Sequence, residues 1–95
     1  MTILQIEHPV KDYEEWKKTF DSDPIDRKKA GVKSYRIYRA VGDSNQVIVD
    51  LAFENPDHAV ATLQKLHALW NAVSGTVVTD RPTARLLDFV ESKVL

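Results

Sequence analysis

A chain of 95 residues, 43% hydrophobic and 28% charged, has room for one domain and no second. Thirteen basic against fourteen acidic residues leave a net charge of −1, so no global field draws the protein to nucleic acid or an anionic membrane. The absence of cysteine excludes a disulfide framework, a thiolate zinc site and a cysteine nucleophile, and it fits a reducing compartment, the cytoplasm.

Residues 2–8 read as a strand, with Leu4 and Ile6 alternating with Gln5 and Glu7 and with Pro9 stopping the pairing. Asp12, three residues before Glu15, has the spacing of a capping box and starts a helix. Along that helix Tyr13, Trp16 and Phe20 fall at spacings of three and four and form one aromatic stripe. Asp21-Ser22-Asp23-Pro24 breaks the helix, and Asp23 followed by Pro24 is a cap and first-position pair for a second short helical segment closed by Gly31. Residues 33–41 and 46–54 are rich in Val, Ile and Tyr, and Gly42-Asp43-Ser44-Asn45 between them makes the pair a hairpin. Asn55-Pro56 opens a second long helix that runs to about residue 72, with Val60, Leu63, Leu66, His67 and Trp70 on one face and Gly75 as its stop. Residues 83–90 form the last strand, on which Leu86 and Leu87 point to opposite faces.

The order strand, helix, strand, strand, helix, strand gives an α+β domain, residues 1–95. Its architecture is a ferredoxin-like βαββαβ with a four-stranded antiparallel sheet and both helices on one face. A short internal echo agrees: Glu7-His8-Pro9 and Glu54-Asn55-Pro56 both stand where a strand hands over to a helix. Residues 47–53, Val-Ile-Val-Asp-Leu-Ala-Phe, are apolar at nearly every position, so both faces of this strand call for cover. Helices cover one face, and a second copy of the sheet is the economical cover for the other. A chain this size buries only about 65% of its unfolded surface, which also favours association, so a homodimer is expected. Residues 1–7 lack the basic start and apolar core of a signal peptide. The longest run without a charged residue, 66–79, falls short of the roughly 20 residues that span a bilayer. Neither export nor membrane insertion is expected.

The residues His8-Pro9-Val10-Lys11-Asp12-Tyr13-Glu14-Glu15-Trp16, then Phe20-Asp21, then the stretch from Arg27 to Gly31 leading into Tyr35-Arg36-Ile37-Tyr38-Arg39, resemble a known pattern. The chain is similar to the dimeric α+β barrel superfamily, and within it to small uncharacterised proteins grouped with the antibiotic-biosynthesis monooxygenases. The resemblance implies two ferredoxin-like subunits packed sheet to sheet, each with a ligand cavity between its helices and its sheet. It also implies a small organic ligand, aromatic or polyketide-like, and chemistry without a cofactor, either oxygenation or cyclisation. A non-catalytic ligand-binding or interaction module of the same fold is the alternative. Monooxygenase-like members carry an Asn one turn before a Trp on the second helix and an Arg on the last strand. Here Trp70 and Arg85 match, and Leu66 stands in place of the Asn. Haem-degrading relatives place an Asn on the first strand, where this chain has Gln5, which disfavours haem.

His67, on the same face as Leu63 and Trp70, is the candidate proton carrier, with Arg85 as a second catalytic candidate stabilising oxyanion charge. His8, Tyr13, Trp16, Phe20, Leu63 and Trp70 are the candidate ligand-binding residues. His67 also reads as a hydrogen-bonded core residue, and the aromatic stripe reads equally as core. The strand charges Arg36, Arg39, Asp50, Arg85 and Asp88 suit ion pairs across or between sheets, and Arg27-Lys28-Lys29 suits a solvated helix end. No metal site is expected, because His58 and His67 are nine residues apart on opposite helix faces and His8 has no partner at ligand spacing.

Overall fold

A computed structural model describes residues 1–73 and 82–95. The elements follow the expected order, the short helical segment before Gly31 included: β1 (Thr2–Pro9), α1 (Tyr13–Asp21), the single turn α2 (Arg27–Ala30), β2 (Val32–Ala40), β3 (Asp43–Phe53), α3 (Pro56–Val73) and β4 (Thr83–Asp88). The strands form one antiparallel sheet in the order β2-β3-β1-β4, with β1 paired to both β3 and β4. The helices pack on one side, as a ferredoxin-like domain requires.

Register assigns the two faces. Leu4, Ile6 and His8 of β1 lie opposite Leu51, Val49 and Val47 of β3, and all six are buried beneath the helices. Because side chains alternate along a strand, the other face carries Gln5 and Glu7 of β1, Ile48 and Asp50 of β3, and Arg85 of β4. Phe53 and Leu4 have no accessible surface, and with Trp16, Val10, Ala59 and Leu66 they complete the core. Truncating a side chain such as Phe53 to Ala would cost about 3–5 kcal/mol.

Several local expectations are corrected. Asp12 stands at the N-cap of α1, but its side chain makes no capping hydrogen bond. The cap of α2 is Asp26 rather than Asp23, with Asp26 accepting from the backbone N–H of Lys29. Asp23 instead receives the Arg27 backbone N–H at 2.9 Å across the preceding turn. Both aspartates hold left-handed backbone, φ 58° and 52°, a conformation their short polar side chains tolerate. The hairpin turn is shorter than Gly42 to Asn45, since Ala40 pairs with Asp43 and only Val41 and Gly42 lie between them. Gly31 closes α2 as expected, with φ 99° and its Cα facing the His58 ring so closely that a Cβ would lie 2.7 Å from Nδ1.

Asn55 accepts from the Asp57 N–H at the start of α3. The helix buries Ala59, Thr62 and Leu66 and half-buries Leu63, Leu69 and Trp70. This inward stripe is turned by about one residue from the expected one, leaving Val60 and His67 exposed. Ala59 and Thr62 are small enough to sit against the sheet. The apolar count favoured Val60, whereas close approach of helix to sheet favours its smaller neighbours. The expected stop at Gly75 lies outside the described residues. Among those described, no helix is long and apolar enough to cross a membrane.

Candidate ligand-binding site

The inward row of β1 ends on a polar residue. His8 continues the line of Leu4 and Ile6, so strand alternation turns its imidazole into the core, where it is only 4% exposed. Its ring centroid lies 5.7 Å from that of Trp16, one turn into α1. Helical spacing then stacks Trp16 on Phe20 at 5.2 Å, and Phe20 meets the Tyr35 ring edge-on at 5.0 Å. A single line of rings thus runs from the end of β1 across α1 to β2.

Beside this line is an apolar cavity of about 130 Å³. Its floor is the sheet, at Ile6, Val49 and Leu51, and its walls are α1 and α3, at Trp16, Phe20, Leu66 and Trp70. Three polar side chains reach it: His8, Thr19 and Arg27. No carboxylate lines it among the described residues.

Among the described residues, His8 Nδ1 is buried without a hydrogen-bond partner. Burial is the main influence on the ring and pushes its pKa below the usual 6.5, with a secondary opposing contribution from the Pro9 backbone. The imidazole is therefore neutral at pH 7, able to accept or donate a proton from within an apolar wall.

Arg27 is held from three sides. Nη1 donates to the Phe20 carbonyl at 2.6 Å and stands 3.5 Å from Asp23 Oδ1, while the guanidinium lies 4.0 Å over the Phe20 ring and 5.1 Å from that of Tyr35. Stacking of this kind suits the flat, weakly hydrated guanidinium.

The structure divides the residues expected from sequence. His8, Trp16, Phe20 and Trp70 line the cavity. Tyr13 packs on Trp16 at 5.8 Å beneath Arg39 and lies outside the wall, and Leu63 is half-buried against the core, also outside it. His67 touches the Trp70 ring at 5.4 Å but is exposed on the flank of α3, contrary to the expectation that it faces the cavity. Arg85 is on the opposite face of the sheet. There its Nε and Nη2 donate to Gln5 Oε1 at 2.9 and 2.6 Å, and Gln5 Nε2 donates to Asp50 at 2.9 Å. Strand parity fixes this: Arg85 pairs with Gln5, whose neighbours Leu4 and Ile6 point inward. The expected ion pairing of strand charges is thus mediated by an amide, with Gln46 donating to Glu7 alongside it.

Arg27 is the residue that sequence reasoning missed. Its neighbours Lys28 and Lys29 are exposed as a solvated helix end should be, but Arg27 turns inward. Asp23 four residues before it and Phe20 seven before it were the available signals. Among the described residues, no group of three His, Asp or Glu side chains converges on a metal position.

No family model matches the sequence, and no curated protein shows significant similarity to it. Solved structures do match. NE2512 of Nitrosomonas europaea, a protein of unknown function, superposes with a TM-score of 0.74 at 15% identity, covering 99% of this chain and 93% of its own. Rv0793 of Mycobacterium tuberculosis gives 0.67 at 12% identity over 99% of this chain and 100% of its own. A Nitrosomonas europaea protein provisionally described as an antibiotic biosynthesis monooxygenase gives 0.62 at 11% identity over 96% and 100%. This chain shares their fold. The resemblance carried by the His8 to Trp16 stretch therefore holds as architecture across nearly the whole molecule, while identities this low carry no residue roles.

Proposed function

We propose that this protein is a homodimeric α+β barrel that binds a small aromatic molecule, one ring in size, between α1, α3 and the sheet. His8 accepts the proton of a ring hydroxyl. The observation that carries this reading is the unpartnered, buried Nδ1 of a neutral imidazole on the wall of an apolar cavity. A buried polar atom without a partner costs stability, so its retention points to a partner supplied from outside. The cavity volume, about 130 Å³, is close to the roughly 150 Å³ of an apolar cavity that admits benzene. Trp16, Phe20 and Trp70 present ring faces and edges to such a ligand.

Partial transfer of a phenolic proton along a hydrogen bond to the neutral His8 makes the ring more electron-rich, as oxygenation or cyclisation without a cofactor demands, without the full charge that burial disfavours on the imidazole. A solved structure provisionally described as an antibiotic biosynthesis monooxygenase shares the fold and supports that direction. His67 and Arg85 have no part in this proton transfer, one being exposed and the other on the far side of the sheet. For the homodimer, the support is the sheet face that the helices leave open, where Tyr38 and Leu87 are exposed.

Phenol and toluene, nearly equal in size, separate packing from proton acceptance. Tryptophan fluorescence and amide shifts should report saturable binding of both, with phenol tighter, and His8→Leu should weaken phenol about tenfold while leaving toluene unchanged. Equal binding of the two by the wild type, or undiminished phenol binding by His8→Leu, would remove His8 from the site. Oxygen uptake with hydroquinone as substrate then tests the catalytic step.

A further inference from the structure

Resting on the one-ring site proposed above, we infer that its ligand is an acid: a phenol bearing a carboxylate on the side of the ring away from its hydroxyl, with Arg27 binding that carboxylate. His8 and Arg27 stand at opposite ends of one row of contacts. The His8 ring meets Trp16, Trp16 stacks on Phe20, and the Arg27 guanidinium lies 4.0 Å over Phe20. Both end groups line the apolar cavity, with the two rings between them. A ligand that gives its hydroxyl to His8 therefore has a fixed positive charge beyond its far side.

The protein answers that charge incompletely. A guanidinium hydrogen-bonded to a carboxylate holds N–O distances of about 2.7–2.9 Å, whereas Arg27 Nη1 stands 3.5 Å from Asp23 Oδ1. The same Oδ1 accepts the Arg27 backbone N–H at 2.9 Å, so the carboxylate is committed to the main chain of the turn. Among the described residues, the hydrogen bond that the guanidinium does make goes to a neutral acceptor, the Phe20 carbonyl, and uses Nη1. Nε and Nη2 remain as donors, in a plane fixed by contact with the Phe20 and Tyr35 rings. Such a fork matches a flat carboxylate bidentately. No carboxylate lines the cavity among the described residues, so an acid entering it meets no competing anion on the wall. The Arg27 side chain is only 16% exposed, and a cation partly withdrawn from water gains more from a counter-ion than a solvated one does.

Arg27 also faces outward. It lines both the apolar cavity and a wider, more open hollow of about 490 Å³ bordered by Asp23, Lys28, Lys33 and Tyr35. Lys28 and Lys33 are exposed, and neither makes an ion pair among the described residues. Together with Arg27 they set three positive charges against the single carboxylate of Asp23, on a chain whose net charge is −1. A cationic hollow draws small anions toward it, and the residue through which it adjoins the cavity is Arg27 itself.

The acid para-hydroxyphenylacetate and its neutral amide share a ring and a hydroxyl and differ in charge. In calorimetric titrations at low salt the wild type should bind the acid at least about tenfold more tightly than the amide, the contribution of a hydrogen bond to a charged group. Arg27→Gln should bring the ratio close to one. The Arg27 Nε–H resonance of the wild type should shift further with the acid than with the amide, a readout independent of how well the variant folds. Lys28→Glu combined with Lys33→Glu, both exposed and outside the cavity wall, should slow association of the acid several-fold in stopped-flow fluorescence and leave the amide unaffected. An unchanged rate in that variant overturns the role of the outer hollow. Acid and amide binding equally to the wild type, an Arg27 Nε–H that the acid does not move, or a preference that survives in folded Arg27→Gln overturns the carboxylate. Phenol binding that is tighter than toluene binding and is weakened in His8→Leu would stand in each of those cases and leave the one-ring site intact. A wild type that binds neither phenol nor the acid overturns both.

Discussion

Replacing His8 by Leu should stabilise the fold, and the gain should grow as pH falls. The wild-type imidazole is buried with Nδ1 unpartnered. An unmade hydrogen bond at a buried polar atom costs about 1–3 kcal/mol, and Leu fills a similar volume with no polar atom. At pH 7 His8→Leu should thus be more stable by about 1 kcal/mol or more, a rise of about 4–8 °C in Tm for a domain of this size. The pH term adds to this. Burial holds the folded-state pKa of His8 below the 6.5 of the unfolded chain. Between the lowered folded value and about 6.5 the unfolded state therefore binds more protons, and stability falls as pH falls through that window. One proton sets a limiting slope of about 1.4 kcal/mol per pH unit. Urea denaturation of both proteins from pH 8 to pH 5, at one fixed protein concentration, gives the difference curve directly. A variant less stable than wild type at pH 7, or a difference that stays flat across the range, would refute the reasoning.

Gly31→Ala should destabilise by at least about 1–2 kcal/mol, since a left-handed backbone carries that cost for a residue with Cβ and the added carbon would also press on His58. Thermal melts of Gly31→Ala with and without His58→Ala separate the two causes, and only the steric part should recover. Trp16→Ala should cost about 3–5 kcal/mol, because it opens the centre of the ring line between His8 and Phe20 and enlarges the cavity beside it. Urea midpoints measure it, and a loss under 1 kcal/mol would show that the line collapses freely. Arg27→Lys should cost about 1–2 kcal/mol, since an ammonium keeps the charge but loses the stacking on Phe20 and the geometry of the bond to its carbonyl. Far-UV melts suffice, and an unchanged Tm would mean that charge alone holds the turn.

The elements that repeat a pattern were legible in the sequence. Alternation around Leu4 and Ile6, three-and-four spacing from Tyr13 to Phe20, and Asn55-Pro56 each follow from a local rule, and each matches the structure. What was not legible depends on how closely two elements approach. His67 scores as inward when apolar residues alone define the helix face, but the helix buries the smaller Ala59 and Thr62 instead, which turns His67 out. Arg27 scores as solvated by its basic neighbours, but the turn held by Asp23 swings it over Phe20. Arg85 could have been assigned to the far face by parity once its register with Gln5 was known, and register comes from pairing rather than from either strand alone.

The two faces of the sheet divide polar chemistry in a way that separates structure from function. On the open face the polar groups answer one another: Arg85 with Gln5, Gln5 with Asp50, Gln46 with Glu7. Such a chain fixes register and needs nothing further. Beneath the helices the reverse holds, for His8 stands at the end of the inward row of β1, its Nδ1 unpartnered among the described residues. Leu4 and Ile6, four and two residues earlier on the same face, fill it with apolar side chains. An unpartnered imidazole at that point costs stability, and under the reading proposed above a ligand carrying one hydroxyl on one ring would return it.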